Sequence, residues 1–193
     1  DPQGVRNNLE RIIPVIKKIH KSIPMKLNGQ PPLFWVFYVI KYYANFLLKN
    51  KTNHISIINE LLEKSDRLEM LSSPRHIVFC HNDLLAANFL DDGSKIWVVD
   101  WEYGGFNDPL FDLGGLASNN DFDTQQEEQL LEMYYEKKSS SDFLIKYKAM
   151  KTASLLRETM WSMVSEITSK LDFDYGEYTS ENLLKFNEAF ESM

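Results

Sequence analysis

One polar segment, Cys80–Asn88, interrupts a chain whose remaining length is dominated by amphipathic helical patterns. A short β-type run, His76–Phe79, precedes it. A predicted hairpin follows it, in which Phe89–Leu90 and Lys95–Val99 flank a turn at Asp91–Gly93. A hairpin bracketed by polar loops is where a functional site is expected, because loops held by a rigid scaffold commonly carry function. The pattern predicts an α+β fold that is mostly helical, with the site on the loops around the hairpin.

Helices are expected on both sides of this hairpin. Apolar residues recur at helical spacing over residues 5–19, 33–48 and 55–71. Pro14 lies inside the first of these segments and is expected to kink or break it. Four later helix starts are predicted: Pro109 behind Asp108, Asp123 or Thr124 with Glu127 completing a capping box, Ser141 or Asp142, and Thr179 or Ser180.

Composition and charge narrow the class of protein. The 193 residues suit one domain, and 21 basic against 28 acidic side chains leave a net charge of −7. That balance disfavours a binder of nucleic-acid backbones and weakly favours cationic partners. The single cysteine, Cys80, cannot form an internal disulfide, which fits a reducing compartment such as the cytoplasm. The longest apolar run, Pro31–Ile40, is too short to cross a bilayer, and no signal peptide is expected.

Three polar residues around the hairpin have the types and the order that phosphoryl transfer from ATP requires. Asn88 follows Asp83 by five residues, and Asp100 follows Asn88 by twelve. Such a reaction needs one carboxylate to orient the attacking hydroxyl and accept its proton, and an amide oxygen with a second carboxylate to hold Mg²⁺. A lone Asp or Asn is commonly a turn or cap residue, so the prediction depends on the whole set. His81 is expected to support the loop as a buried, hydrogen-bonded side chain.

The segments HNDLLAANFL and VVDWEYGGFNDPLFDLGGLA resemble the choline/ethanolamine kinases and the related aminoglycoside phosphotransferases, which have the protein-kinase fold. The resemblance implies that Asp83 is the catalytic base and that Asn88 and Asp100 are the Mg²⁺ ligands. It implies that Glu102 serves the metal site or attracts a cationic substrate. Asp112 is implied to be a helix cap or a loop tie rather than a catalyst. A role in phospholipid or lipopolysaccharide precursor metabolism would follow.

Residues 160–178 are similar to the tail of choline kinases, in which aromatic side chains surround a quaternary ammonium. By position, Trp161 and Tyr178 match residues of this aromatic box. Glu158 stands where animal choline kinases tend to carry another tryptophan, which keeps ethanolamine open as a substrate. On a helix, Trp161 falls at the edge of the apolar stripe and can face a cavity, although plain packing remains the alternative.

A kinase also needs a glycine-rich loop and a lysine for the phosphates of the nucleotide, and neither precedes Asp83 in this sequence. Residues 1–193 are therefore expected to form only the C-terminal lobe of a kinase-like fold, and to be inactive alone. The expected function is phosphorylation of a small cationic alcohol with ATP and Mg²⁺, choline first, with ethanolamine, thiamine or an aminoglycoside as alternatives. The alternative of another class is a pseudokinase lobe that binds a ligand or a partner without transferring phosphate.

Overall fold

Helices form most of the protein in the computed structural model, which describes residues 1–73 and 75–193. The helices before the hairpin are α1 (Pro2–Asn7), α2 (Leu9–Ser22), α3 (Val36–Lys49) and α4 (Ile58–Leu71). Those after it are α5 (Pro109–Asn119), α6 (Thr124–Tyr135), α7 (Ser141–Thr168) and α8 (Tyr175–Glu191). The predicted α+β, mostly helical class is confirmed.

Two small antiparallel sheets carry the polar loops. The predicted hairpin is present as β2 (Phe89–Asp91) paired with β3 (Ile96–Val98), and a 3-10 turn at Ala86–Asn88 leads into it. The other sheet pairs β1 (Val78–Cys80) with β4 (Gly105–Asn107). Its first strand lies slightly later than predicted, and its second was not predicted. The polar loop therefore runs from one sheet to the other and is held at both ends.

The long helix α7 lies at the centre of the molecule, where it contacts α3, α4, α5 and α8. Its buried face includes Leu156 and Met160, which pack in one core with Phe37 and Ile40 of α3. Helix α7 therefore joins α3 and α4 to the helices of the C-terminal half. Within the described ranges, no helix combines the length and the apolar character needed to span a bilayer.

The predicted break at Pro14 is wrong, because α2 continues through this residue to Ser22. Proline in a helix interior costs about 3 kcal/mol or more. The same helix buries several isoleucines almost completely, and each contributes about 1.5–3 kcal/mol. Tertiary packing therefore outweighs the local penalty. The helical pattern is instead interrupted at Asn8, which separates α1 from α2.

Helix starts agree with the predictions at α5, α6 and α7 and differ at α8. Asp108 caps α5, as expected. The capping box of α6 joins Asp123 to Gln126, so the predicted pairing with Glu127 is wrong. Helix α8 starts at Tyr175 because Asp174 accepts a hydrogen bond from a backbone amide of its first turn. The predicted start at Thr179 or Ser180 is therefore about one turn late.

Close packing of α5 on α7 depends on Gly114. A methyl group at this position would lie 2.6 Å from the Cα atom of Lys151 and 2.9 Å from its nitrogen. Those are backbone atoms of α7, so the two helices would have to separate. The next residue, Gly115, would place its methyl group 3.2 Å from the Ser154 hydroxyl, which can rotate.

Replacing Gly114 by alanine is expected to lower the free energy of unfolding by about 1–3 kcal/mol, because overpacking would push α5 away from α7. Gly115→Ala is the matched control, and it should stay within about 1 kcal/mol of the parent because better helix propensity offsets its milder contact. Urea unfolding of both variants measures the difference. Equal stability of the two variants would contradict this account of the α5–α7 interface.

Candidate active site

The polar loop after β1 turns at Asn82, whose φ is 67°. Left-handed backbone is uncommon outside glycine, and Asn and Asp tolerate it best. The Asn82 amide donates to the carbonyl oxygens of Tyr103 (2.9 Å) and Gly105 (3.2 Å). Its side-chain oxygen accepts a hydrogen bond from Asn107 at 2.9 Å. The loop is thus fastened to β4 and the segment before it, and Asp83 follows directly after this fixed residue.

Asp112 ties the same loop to α5. Its two carboxylate oxygens accept hydrogen bonds from the backbone amides of His81 (2.8 Å) and Asn82 (2.7 Å). The Nε2 atom of His20 lies 3.0 Å from one of these oxygens, and the other ring nitrogen lies 2.6 Å from the Tyr134 hydroxyl. Asp112 is almost fully buried, and Asp108 rather than Asp112 caps the helix. The contacts of Asp112 are therefore those of a side chain that ties the loop to α5.

The side chain of His81 is buried on the inner side of the loop, against Val99 and Trp101. Its Nε2 atom is 2.9 Å from the carbonyl oxygen of Val99, so this nitrogen carries the proton and donates. The imidazole packs edge-on against Trp101, with 4.6 Å between the ring centroids, and is fully buried. These contacts join the loop to the end of β3, which suits a supporting side chain better than a base.

Asp83 is the partly buried carboxylate of the site, with 14% of its side chain exposed. Burial raises the pKa of Asp83, and the positive charge of Arg157 opposes that rise. The Arg157 Nη1 atom lies 3.6 Å from a carboxylate oxygen. A carboxylate with a raised pKa is better suited to accept a proton than one in bulk water. Its backbone carbonyl also accepts a hydrogen bond from the side chain of Asn88 at 2.9 Å.

Asn88 and Asp100 lie on adjoining segments beyond the open end of the hairpin. The Val99 amide donates to the carbonyl oxygen of Asn88 at 3.0 Å, one residue before Asp100. The side-chain nitrogen of Asn88 donates to the backbone carbonyl of Asp83, so the side-chain oxygen of Asn88 takes no part in that hydrogen bond. Asp100 is exposed and has a φ of 63°, a left-handed conformation that tends to occur at functional sites.

This donor set fits Mg²⁺. The ion prefers hard oxygen ligands, completes its coordination with water and phosphate oxygens, and needs only one or two side chains from the protein. Asn88 would supply an amide oxygen and Asp100 a carboxylate. Glu102 is exposed two residues further on, so its carboxylate faces solvent.

A second group resembles a metal site only superficially. His20, Cys80 and Asp112 bring one potential ligand atom each within 4.8 Å of one another. The Asp112 oxygens already bind backbone amides and His20, and burial raises the pKa of the Cys80 thiol well above its usual value. A thiol that stays protonated is a poor ligand, so this group is a structural network.

The structure brings Trp161 and Tyr178 into one aromatic cluster. The ring centroids are 6.0 Å apart for Trp161 and Tyr175, 4.9 Å for Tyr175 and Phe173, and 5.8 Å for Phe173 and Tyr178. Phe173 is 55% exposed, and the other three rings are half-buried. The cluster is therefore reachable from solvent, as a site for a cation must be.

Glu158 joins this cluster to Asp83. Its Oε2 atom lies 2.7 Å from Arg157, and its Oε1 atom accepts a hydrogen bond from the Tyr178 hydroxyl at 2.9 Å. Burial raises the pKa of Tyr178, which keeps that hydroxyl protonated. Contacts through Arg157 and the aromatic cluster thus link five of the predicted residues, namely Asp83, Asn88, Glu158, Trp161 and Tyr178.

Sequence reasoning missed Arg157, Tyr103, Tyr175 and Phe173. Arg157 follows Ala153 by four residues and precedes Met160 by three, so it lies within the apolar face of α7. A cation in an apolar stripe was the available signal, since such a charge needs a buried partner. Tyr103, whose ring centroid is 4.5 Å from the Arg157 guanidinium, showed no comparable signal.

Comparison with known proteins shows which family of sequences the chain resembles. The family model described as choline/ethanolamine kinase matches residues 5–136. Protein LicA of Haemophilus influenzae is 25% identical over 181 residues, which cover 91% of this chain and 66% of LicA. Ethanolamine kinase 2 of Homo sapiens is 27% identical over 221 residues, which cover 99% of this chain and 55% of that protein.

The fold is shared with solved structures. A choline/ethanolamine kinase family protein from Mesorhizobium loti superposes with a TM-score of 0.85 at 24% identity, over 99% of this chain and 66% of that one. The predicted kinase-like fold is therefore confirmed. The chain spans roughly half to two thirds of the length of the relatives named here.

Proposed function

Because this chain belongs to the choline/ethanolamine kinase family, we propose that it carries the acceptor site of an ATP-dependent kinase for a small cationic alcohol. The substrate that we propose first is choline, with ethanolamine as the alternative within the family and thiamine or an aminoglycoside beyond it. The observation that carries this proposal is the linked arrangement of Asp83, Asn88 and the segment of Asp100 around one rigid loop.

In the proposed reaction, Asp83 accepts the proton of the substrate hydroxyl as its oxygen forms a bond to the γ-phosphorus of ATP. The bond from that phosphorus to the bridging oxygen breaks, and ADP leaves. Asn88 and Asp100 would hold Mg²⁺, which supplies positive charge that neutralises the phosphates when it is bound. The loop fixes Asp83 through its neighbour Asn82, whose backbone and side chain are both hydrogen-bonded.

The proposed amine site lies at the cluster of Trp161, Phe173, Tyr175 and Tyr178. A quaternary ammonium cannot donate hydrogen bonds, so it is best recognised by π faces and by diffuse negative charge. Glu102, exposed near the loop, would add to that charge and attract a cationic substrate. The half-open aromatic cluster supports this assignment.

We also propose that residues 1–193 act as the C-terminal lobe of the kinase-like fold and work with a separate nucleotide-binding lobe. Two facts support this: the chain covers only part of its relatives, and no glycine-rich phosphate loop precedes Asp83. Turnover is therefore to be measured on the full-length protein, and the isolated chain should be inactive.

Replacing Trp161 by alanine in the full-length protein is expected to raise KM for choline roughly tenfold or more. The change removes a cation–π contact of about 0.5–2 kcal/mol together with buried apolar area. Ethanolamine should be affected less, because a primary ammonium can also hydrogen-bond to a carboxylate that is open to solvent, such as that of Glu102. Steady-state kinetics with both amines measures the change in the ratio of their kcat/KM values.

Trp161→Phe is the control, since it keeps an aromatic face of smaller area and should lose only part of the affinity. An equal loss for both amines would identify Trp161 as a packing residue. Activity on an aminoglycoside or thiamine alone would keep the kinase mechanism and reject the proposed amine.

A further inference from the structure

The positively charged side chain of Arg157 lies next to the proposed amine site, because it pairs with Glu158, which binds Tyr178. We propose that Arg157 is an internal counterion that determines which ammonium group the site accepts. Its guanidinium neutralises Glu158, so this carboxylate is withheld from a primary ammonium and the substrate cation is left to the aromatic faces. The inference rests on the proposed function, and Arg157 acts as a positioning and specificity residue rather than as a catalyst.

The position of the guanidinium is the first support. Its Nη1 atom lies 2.7 Å from Glu158 Oε2 and 3.6 Å from Asp83 Oδ1, so one nitrogen lies between two carboxylates. The guanidinium carbon stands 4.5 Å from the centre of the Tyr103 ring. Only 5% of the side chain is exposed. Burial acts to lower the pKa of Arg157, but Glu158 and Asp83 outweigh it and the pKa is raised, so the group stays charged.

The existing partners of Glu158 are the second support. One of its oxygens binds Arg157, and the other accepts the Tyr178 hydroxyl at 2.9 Å. The carboxylate is only 14% exposed. A substrate ammonium would have to compete for this buried carboxylate with a guanidinium that belongs to the same chain and is already in place. Such a partner competes at a very high effective concentration.

The consequence differs for the two kinds of amine. A primary ammonium that leaves water needs acceptors for its N–H groups, and a site that leaves them unpaired rejects it. A trimethylated ammonium has no such groups and loses nothing when Glu158 is withheld. The rings of Trp161, Tyr175 and Phe173 remain available to it. Arg157 should therefore favour a methylated amine over a primary one.

The test compares ethanolamine with choline on the full-length protein. Arg157→Gln should raise the ratio of kcat/KM for ethanolamine over choline about tenfold, because the freed Glu158 can then bind a primary ammonium. Arg157→Lys keeps a cation and should leave the ratio near that of the parent protein. The double variant Arg157→Gln/Glu158→Gln removes both charges and should also return the ratio toward the parent value. General damage to the fold would lower both activities without moving the ratio.

If Arg157→Gln does not fold, the single variant Glu158→Gln tests the proposal in its place. Both amines should then change in parallel, with a ratio within about threefold of the parent. A selective loss of ethanolamine turnover would mean that Glu158 contacts the substrate, and it would overturn the proposal. An unchanged ratio in a folded Arg157→Gln protein would also overturn it. A parent protein that phosphorylates neither amine would instead reject the proposed function.

Discussion

Replacing Asp83 by asparagine in the full-length protein should lower kcat roughly 10²–10⁴-fold, the range typical for loss of a positioned general base. The substitution keeps the size of the side chain and removes both the proton acceptor and the charge. Binding of the amine should change little, because the proposed cation site is the aromatic cluster formed by α7, α8 and the segment between them. Steady-state kinetics gives kcat, and calorimetric titration with choline gives the binding constant.

Asp91→Asn is a matched control for this experiment. Asp91 ends strand β2 of the hairpin that follows the loop of Asp83, and it pairs with Arg11 at the surface, where an ion pair contributes only about 0–1 kcal/mol. Its replacement should leave kcat within experimental error. An Asp83→Asn protein that retains more than a tenth of the parent kcat would remove Asp83 from the role of base.

Replacing Asp100 should abolish the dependence of nucleotide binding on Mg²⁺. Few protein oxygens hold this ion, and loss of even a supporting residue typically weakens a metal site about 10–100-fold. Titration of Mg·ATP into the full-length variant should therefore resemble titration of ATP into the parent protein in the presence of a chelator.

The choice of variant matters because Asp100 has left-handed backbone. Alanine disfavours this conformation, whereas asparagine tolerates it and removes only the charge. Asp100→Asn therefore tests the ligand, and Asp100→Ala tests ligand and turn together. If Asp100→Asn binds Mg·ATP as tightly as the parent does, Asp100 is a turn residue and the magnesium assignment is wrong.

The sequence predicted the parts of the fold that depend on neighbours along the chain. The hairpin follows from alternating residues around a turn, and Asp108 with Pro109 marks the start of α5. Strand β4 was missed because Gly105–Asn107 is short and pairs with β1, which lies more than twenty residues earlier. Helix α8 begins earlier than expected because Asp174, one of several acidic residues in that region, happens to be the cap.

The sequence could predict those residues of the candidate site whose types and spacing along the chain form a recognisable pattern. Asp83, Asn88 and Asp100 are adjacent through local structure, so their order along the chain was informative. Arg157 is far from Asp83 in sequence and reaches it only because α7 packs at the centre of the molecule. A charged residue on a helix normally faces solvent, and tertiary contacts decide the exceptions.

The hydrogen bonds from the backbone of His81 and Asn82 to buried Asp112 have a consequence for the energetics of turnover. An irregular loop ordinarily samples many conformations, and fixing each residue costs about 1–2 kcal/mol of conformational entropy. Here that cost is incurred once, when the chain folds around a carboxylate that water cannot reach. In the proposed reaction, Asp83 would therefore meet each substrate in an orientation already set by folding. Little binding energy would then be diverted to ordering the loop, and more would remain to stabilise the transition state.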